Sequence, residues 1–347
     1  MKNLFKNLIA LSLVLILVMQ GVLIAEAERL KGVALTSGDV IGVLAPASYA
    51  DDEDFIGSIE LLKEHGYKVK LGKSAHAQYE HFAGTDRKRA EDINNFFADD
   101  EVKAILCVRG GYGSARVLDR LDYKMIAKHP KPLIGFSDVT ALHTALGEKA
   151  GLVTIHGPML VSFVSKRFDS EYSRKNFFDG LRNYKPMGEV IMPEGRKLET
   201  VIPGKAEGFI TGGNLTVLTS LVGTPYELNG KGCLLLLEEI GESPYRIDRM
   251  LNQLYQNGLL SRVNGIILGD FTGCDGGGND PDKIDDFSLE QVLRHYARLS
   301  RKPVIKNMPS GHGNYNLFLP FGVHAVMNAD EKGGASLVID EAALAER

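Results

Sequence analysis

The sequence predicts an α/β protein with two domains, the first built on a parallel sheet and the second a smaller, β-rich α+β domain. Up to about residue 185, continuously apolar runs alternate with segments of helical spacing, which is the pattern of a parallel sheet covered on both faces. Beyond that point, short apolar runs are separated by hairpin signals. The chain has 347 residues, 44% of them hydrophobic, which is enough for two such domains.

The first 27 residues are expected to stand apart from both domains. Lys2 and Lys6 form a basic start, residues 8–24 are mostly apolar, and Ala25–Ala27 resembles a cleavage site. This layout predicts a secretory signal peptide, and therefore a protein that works in the cell envelope, periplasm or medium. The length of the apolar stretch leaves an uncleaved membrane anchor as the alternative.

In the N-terminal domain, residues 28–185, strands are expected at the apolar runs 40–45, 102–108 and 132–136, and a further strand is expected at 67–71. Helices are expected where apolar residues recur at helical spacing, namely at Phe55-Ile59-Leu62 before Gly66, at Ala90-Ile93-Phe97 after the cap Thr85, at 115–121, and from Val139.

The segment 186–202 contains several prolines and glycines and is predicted to link the domains. In the C-terminal domain, residues 203–347, a hairpin is expected from 323–327 and 335–339. Helices are expected near 245–256 and from Ser288, which forms a capping box with Gln291.

The charge and the cysteines exclude several classes of function. A net charge of −4 without a basic block argues against nucleic-acid binding, so no nucleic-acid partner is expected. Cys107, Cys233 and Cys274 are too few and too widely spaced for a disulfide framework or a zinc site, and the state of Cys274 stays open. The acidic loop 275–286 lacks the ligand spacing of an EF-hand and is read as solvated. We therefore expect no metal and no cofactor.

The stretch KPLIGFSDVTAL, residues 131–142, places Ser137 where a buried strand turns into a helix. Serine at such a corner is commonly a helix cap. It is also the position of a nucleophile held on a tight strand-to-helix turn. These residues alone leave both interpretations open.

The loop RGGYGSAR, residues 109–116, also follows a strand and precedes a helix. A dinucleotide fingerprint would need a third glycine where Arg116 stands, so a nucleotide site is the weaker interpretation. The loop can instead turn backbone N–H groups toward an oxyanion. Parallel strands end on one edge of a sheet, so this loop and Ser137 are expected on the same rim.

A serine nucleophile needs a base and an orienting acid. His312, in PSGHGNYN, lies between two glycines where no apolar pattern explains it. Glu238 and Glu239 end a buried run, and alternation along a strand turns only one of them into a given cleft. The order Ser137, Glu238 or Glu239, His312 is that of a nucleophile-elbow hydrolase, although GFSDV lacks the second glycine of that motif.

Seven motifs together resemble one family. They are VRGGYGSARVLDRLDY, IGFSDVTALH, HGPM, GGNLTVLTSLVGTPYE, LLLEEIGESPYRIDRMLNQL, GIILGDF and LPFGVHAVM, spread over roughly residues 38–330. They occur in the order found in the LD-carboxypeptidases, serine peptidase family S66, which also includes the microcin C immunity peptidases.

The resemblance implies a first domain similar to class I glutamine amidotransferases, a homodimer, and an active site between the domains. It implies a triad of Ser137, Glu238 and His312, with backbone N–H groups of Gly111 and Asp138 as the oxyanion hole. Arg246, in SPYRIDRM, matches a family position and is a candidate substrate-binding residue.

The implied activity is cleavage of an L,D-peptide bond, with release of D-alanine from murein tetrapeptides. A peptidase for microcin C-like peptide–nucleotide conjugates and a non-catalytic muropeptide-binding protein are the alternatives. Two features depart from the family. Typical Gram-negative members are cytoplasmic and lack a leader, and this chain has no tryptophan, which the microcin branch uses to stack on its nucleotide.

Overall fold

The computed structural model describes residues 29–50, 52–163, 170–275 and 288–347. The predicted leader and almost all of the acidic loop 275–286 lie outside the described residues. Within them the chain forms two sheets, a largely parallel one and a second, larger mixed one, which confirms the predicted fold class. No helix in these ranges is long and apolar enough to span a membrane.

The first sheet contains five parallel strands in the order β5-β4-β3-β1-β2. They are Val40–Leu44 (β1), Lys68–Leu71 (β2), Val102–Cys107 (β3), Leu133–Gly135 (β4) and Thr154–His156 (β5). The first four lie within one residue of the predicted bounds; for β1, β3 and β4 an apolar run buried on both faces marks the strand directly, whereas β2 is a more exposed edge strand. The carboxyl ends of all five lie on one edge.

The helices of the first domain are Asp52–Glu64 (α1), Asp86–Ala98 (α2), Tyr123–Lys128 (α3), Thr140–Ala150 (α4) and Glu171–Arg182 (α5). Three short 3₁₀ segments span Ser114–Arg120, Ser137–Val139 and Leu160–Phe163. Thr85 caps α2 as predicted by accepting the N–H of Lys88. The helix expected at 115–121 is a 3₁₀ segment, so only its type differs from the prediction.

The second sheet has eight strands. They are Gly188–Glu189 (β6), Glu199–Ile202 (β7), Gly204–Asn214 (β8), Cys233–Ile240 (β9), Gly265–Thr272 (β10), Val304–Lys306 (β11), His324–Ala329 (β13) and Ala335–Ile339 (β14). Their order is β6-β14-β13-β8-β9-β10-β11-β7. The central strands β8 to β11 are parallel, and β13 and β14 form the predicted antiparallel pair.

The helices of this domain are Leu215–Ser220 (α6), Pro244–Gln256 (α7), Leu259–Arg262 (α8) and Leu289–Ser300 (α9). The capping box of Ser288 and Gln291 is present at α9. The segment 186–202, predicted as a linker, supplies β6 and β7 at the two edges of the second sheet. The strand Leu319–Phe321 (β12) pairs antiparallel with β5 and so belongs to the first sheet.

The two domains meet where β8 ends against the start of α4. The side-chain oxygen of Thr140 accepts the N–H of Asn214 at 2.9 Å. Gly213 has φ +123°, and a Cβ there would lie 2.4 Å from the same oxygen, so only glycine allows this approach. Asn214 is also the ladder partner of Glu238 on β9. One contact therefore connects the turn of Ser137 with the strand end that carries Glu238.

Candidate active site

Ser137 occupies a strained backbone turn directly after β4. Phe136 is still extended, whereas Ser137 has φ +62°, a conformation that costs a non-glycine residue about 1–2 kcal/mol. Such strain is concentrated at functional sites, where the surrounding structure maintains it. The 3₁₀ turn and α4 have no side-chain cap, and Ser137 lies at neither N-cap position. The helix-cap interpretation is therefore wrong, and the half-buried hydroxyl group is not committed to capping.

The glycine loop after β3 lies directly beside this turn. A Cβ on Gly110 would lie 3.0 Å from Ser137 Cβ and 3.2 Å from the N–H nitrogen of Asp138. Gly111, the predicted oxyanion donor, has φ +105° and turns its α-carbon toward Ser48. Gly110 is thus the glycine whose α-carbon faces the serine, and the N–H of Gly111 follows it in the chain. The oxyanion role of Gly111 stays a prediction.

The side chain of Asp138 fastens this loop to the serine turn. Its Oδ2 accepts the N–H of Ser114 at 2.7 Å, and the carboxylate is buried. Burial raises the pKa of Asp138, and hydrogen bonds from Ser114 and Gly113 oppose that rise. The carboxylate thus occupies the helix start that a bound phosphate would need, which contradicts the nucleotide interpretation of this loop.

Glu238 and His312 form a buried hydrogen-bonded pair. Nδ1 of His312 donates to Glu238 Oε2 at 2.7 Å; Glu238 is fully buried and His312 is 8% exposed. Gly311, at φ +119°, makes the approach possible, because a Cβ there would lie 2.8 Å from that oxygen. The ring of His312 also lies 4.9 Å from the ring of Phe136, the residue before Ser137. The structure therefore brings His312, Glu238 and the turn of Ser137 together.

Glu239 points to the other side of β9, where it accepts hydrogen bonds from neighbouring residues. Its Oε1 accepts from Asn214 Nδ2 at 2.9 Å and from the N–H of Ile240 at 2.8 Å. Its Oε2 accepts from the N–H and the hydroxyl group of Thr216, at 2.8 and 2.7 Å. Strand alternation thus separates the two adjacent acids, and only Glu238 reaches a histidine in the described structure.

Two further histidines near the site have structural roles. His143 donates Nε2–H to the carbonyl of Gly135, the last residue of β4, at 2.8 Å. His156 contacts the hydroxyl group of Ser310 through Nδ1 at 3.0 Å. Burial lowers the pKa of His143 to about 4 and that of His156 well below its usual range, so both are neutral at pH 7. Sequence reasoning did not find these roles, because both partners are distant in the chain or on the backbone.

Arg246 and Cys274 are the remaining sequence candidates. Arg246 lies in the first turn of α7, where it contacts the hydroxyl group of Tyr245 and the carboxylate of Glu242. Among the described residues no contact joins it to Ser137, Glu238 or His312, and its substrate-binding role stays a prediction. Cys274 is buried, and burial raises the pKa of its thiol to about 12, so it is a poor nucleophile.

Comparisons with known proteins agree with this architecture. Residues 41–157 match the LD-carboxypeptidase N-terminal domain, and residues 207–327 match the LD-carboxypeptidase C-terminal domain. The chain is 40% identical over 311 residues to a probable murein peptide carboxypeptidase of Bacillus subtilis, covering 87% of this chain and 92% of that protein.

Two solved structures have the same fold. A muramoyltetrapeptide carboxypeptidase from Oxalobacter formigenes is 30% identical with a TM-score of 0.75, covering 87% of this chain and 99% of its own. An MccF-like protein from Bacillus anthracis is 29% identical with a TM-score of 0.79, covering 89% and 99%. With both family domains matched in order and a 40% identical relative along most of its length, this chain belongs to the LD-carboxypeptidase family.

Proposed function

We propose that this chain is a serine carboxypeptidase that cleaves an L,D-peptide bond and releases D-alanine from murein tetrapeptides. One observation carries the proposal: a serine on a strained strand-to-helix turn lies beside a buried Glu238–His312 pair. A serine nucleophile needs a base that a carboxylate orients, and this arrangement supplies both, whereas binding a muropeptide without cleaving it requires neither.

In the proposed reaction His312 takes the proton of Ser137 Oγ as that oxygen attacks the scissile carbonyl carbon. Glu238 holds Nδ1–H, which leaves Nε2 as the base, and stabilises the imidazolium that forms. Backbone N–H groups of Asp138 and Gly111 stabilise the tetrahedral oxyanion.

The C–N bond then breaks, and His312 returns the proton to the leaving amine of D-alanine. A water molecule attacks the acyl-enzyme, losing its proton to His312. The ester bond breaks, Ser137 recovers the proton, and the shortened peptide leaves with a free carboxylate.

The substrate class rests on the relatives. A Bacillus subtilis protein named for murein peptides is 40% identical, and a solved relative is named for muramoyltetrapeptide. The MccF-like neighbour from Bacillus anthracis supports the second candidate, a peptidase for microcin-like peptide–nucleotide conjugates. The higher identity to the murein enzyme favours the first.

Mass spectrometry of reaction products tests the proposal. Purified protein is incubated with L-Ala-D-Glu-diaminopimelyl-D-Ala, with the stereoisomer ending in L-Ala, and with a peptide–nucleotide conjugate. We expect loss of one alanine from the first substrate only. Cleavage of the conjugate alone would select the immunity function, and binding of the tetrapeptide without cleavage would select the non-catalytic one.

The place of action and the assembly are part of the proposal. The basic start, apolar stretch and small-residue end of residues 1–27 support export and cleavage, so the secreted protein should begin near Glu28. Full-length chain in the membrane fraction would instead indicate a retained anchor. The family resemblance supports a homodimer, and light scattering of the purified protein should give twice the monomer mass.

A further inference from the structure

The ion pair of Arg196 and Asp270 contacts the loop that carries His312. Arg196 Nη2 contacts Asp270 Oδ1 at 2.6 Å, and the two side chains are only 21% and 15% exposed. Asp270 lies on β10, two strand positions beyond the buried part of that strand, and Arg196 comes from the segment 186–202. The pair therefore joins a segment predicted as a linker to the strand next to β9, which carries Glu238.

Arg196 also binds the first residues of loop 307–313, which carries His312. Its Nε donates to the carbonyl of Asn307 at 2.8 Å, and its Nη2 donates to the carbonyl of Met308 at 3.0 Å. Asn307 has φ +70°, a strained conformation for a residue other than glycine. A planar guanidinium group that binds two carbonyls and a carboxylate fixes this strained start in one geometry.

Asp270 holds the loop closer to the histidine itself. Its N–H donates to the carbonyl of Ser310 at 2.9 Å, two residues before His312. On the other side, a Cβ on Gly313 would lie 2.2 Å from Asp270 Oδ2, so the backbone after His312 lies directly against this carboxylate. One residue of β10 therefore contacts the chain on both sides of the imidazole.

We propose that Arg196 and Asp270 are positioning residues that hold loop 307–313, and through it the imidazole of His312, in the reactive geometry. The inference rests on the proposed serine-hydrolase function. The loop begins at a strained residue, Asn307 at φ +70°, and such backbone persists only where its surroundings determine it strongly. A displacement of about 1 Å at a reacting group costs on the order of 100-fold in rate.

The test compares Arg196→Ala, Arg196→Lys and Asp270→Asn with a matched control, Lys31→Ala. Lys31 forms a comparably buried ion pair with Glu341, at 2.5 Å and with side chains 14% and 26% exposed, near the chain ends. For each variant kcat and KM are measured on the tetrapeptide, together with the rate at which a fluorophosphonate labels Ser137 and the melting temperature. The labelling reports the activated serine without any peptide contact.

We expect Arg196→Ala to lower kcat and the labelling rate on the order of 100-fold with KM within about threefold. Asp270→Asn keeps an oxygen for Arg196 but replaces the ion pair with a neutral hydrogen bond, so Asp270→Asn and Arg196→Lys should both show losses between those of the wild type and Arg196→Ala. Lys31→Ala should lower the melting temperature to a similar degree with kcat unchanged.

If the wild type is labelled and turns over the tetrapeptide, the proposed function stands. The inference is then overturned if Arg196→Ala keeps kcat within twofold of the wild type. Equal losses of kcat in Arg196→Ala and Lys31→Ala would also overturn it, since the effect would then be general destabilisation. Absence of both labelling and turnover in the wild type would refute the proposed function itself, and the inference with it.

Discussion

Exchange of the two adjacent acids for glutamine should separate catalysis from stability. Glu239 accepts four hydrogen bonds with its two oxygens. In Glu239→Gln one oxygen becomes an NH₂ group that must face two donors. The hydroxyl group of Thr216 can rotate to accept, but a backbone N–H cannot. The variant therefore loses at least one charge-assisted bond and leaves a buried donor unpaired.

These two losses give the magnitude. A hydrogen bond to a charged group contributes about 1.5–3 kcal/mol and an unpaired buried donor costs about 1–3 kcal/mol, so we expect a loss on the order of 3 kcal/mol in the free energy of unfolding. At about 2–4 °C per kcal/mol for domains of this size, the melting temperature should fall by roughly 6–12 °C. Below its melting transition the variant should keep kcat within a few-fold, because Glu239 touches no histidine in the described structure.

Glu238→Gln should behave in the opposite way. Glu238 has one hydrogen-bond partner among the described residues, His312, and its Oε1 is buried without one. Neutralising this carboxylate removes a desolvated charge but leaves one buried NH₂ group without an acceptor, so the melting temperature should change less than in Glu239→Gln. Its kcat should fall on the order of 10⁴-fold, because the imidazole loses the group that fixes its tautomer.

The assay pairs D-alanine release with thermal unfolding of both variants. An inactive Glu239→Gln protein with an unchanged melting temperature would refute the assignment of the two acids. So would an active Glu238→Gln protein.

Three further predictions follow from the same site. Ser137→Ala and His312→Ala should each lower activity by a factor on the order of 10⁴ to 10⁶, and the double variant should be barely worse; additive losses would mean that the two residues act independently. Ser137→Gly should melt at least as high as Ser137→Ala although glycine usually destabilises, because φ +62° strains alanine; a clearly lower value would contradict the strained turn. Because burial lowers the pKa of His143 to about 4, the unfolded chain binds one more proton than the folded chain between pH 6.5 and 4, so the free energy of unfolding should fall by about 2 kcal/mol from pH 7 to 5. His143→Asn should reduce this dependence on pH, and an identical dependence would contradict the prediction.

The parts of this structure that sequence predicts are those determined by local pattern. Three buried parallel strands of the first sheet, β1, β3 and β4, were located within one residue, because complete burial demands an apolar run. Strand alternation predicts that only one of Glu238 and Glu239 faces the cleft. Which of the two it is depends on the strands and loops packed against β9, and these are distant in the sequence. The family resemblance indicated Glu238, and the contact with His312 agrees with it.

The parts that sequence does not predict depend on contacts between distant residues. Prolines and glycines in 186–202 resemble a linker, yet β6 and β7 complete the edges of a sheet whose other strands are far away in the chain. Arg196 and Asp270 are 74 positions apart, and neither stands in a pattern that predicts a partner. The role of Asp138 was also obscured, because an acid after a nucleophile reads equally well as a helix-start residue.

The strand β12 has a consequence for how the enzyme is assembled. The chain leaves the second sheet after β11, passes through His312, and enters the first sheet as residues 319–321 before returning to β13. The two halves are therefore interlaced, and a fragment cut at the 186–202 crossing would lack an outer strand of its own sheet. Catalytic competence should accordingly arise late in folding, when both sheets have closed on the segment between them. Until then Ser137 and His312 are not held in one site, and the newly made protein should have no peptidase activity.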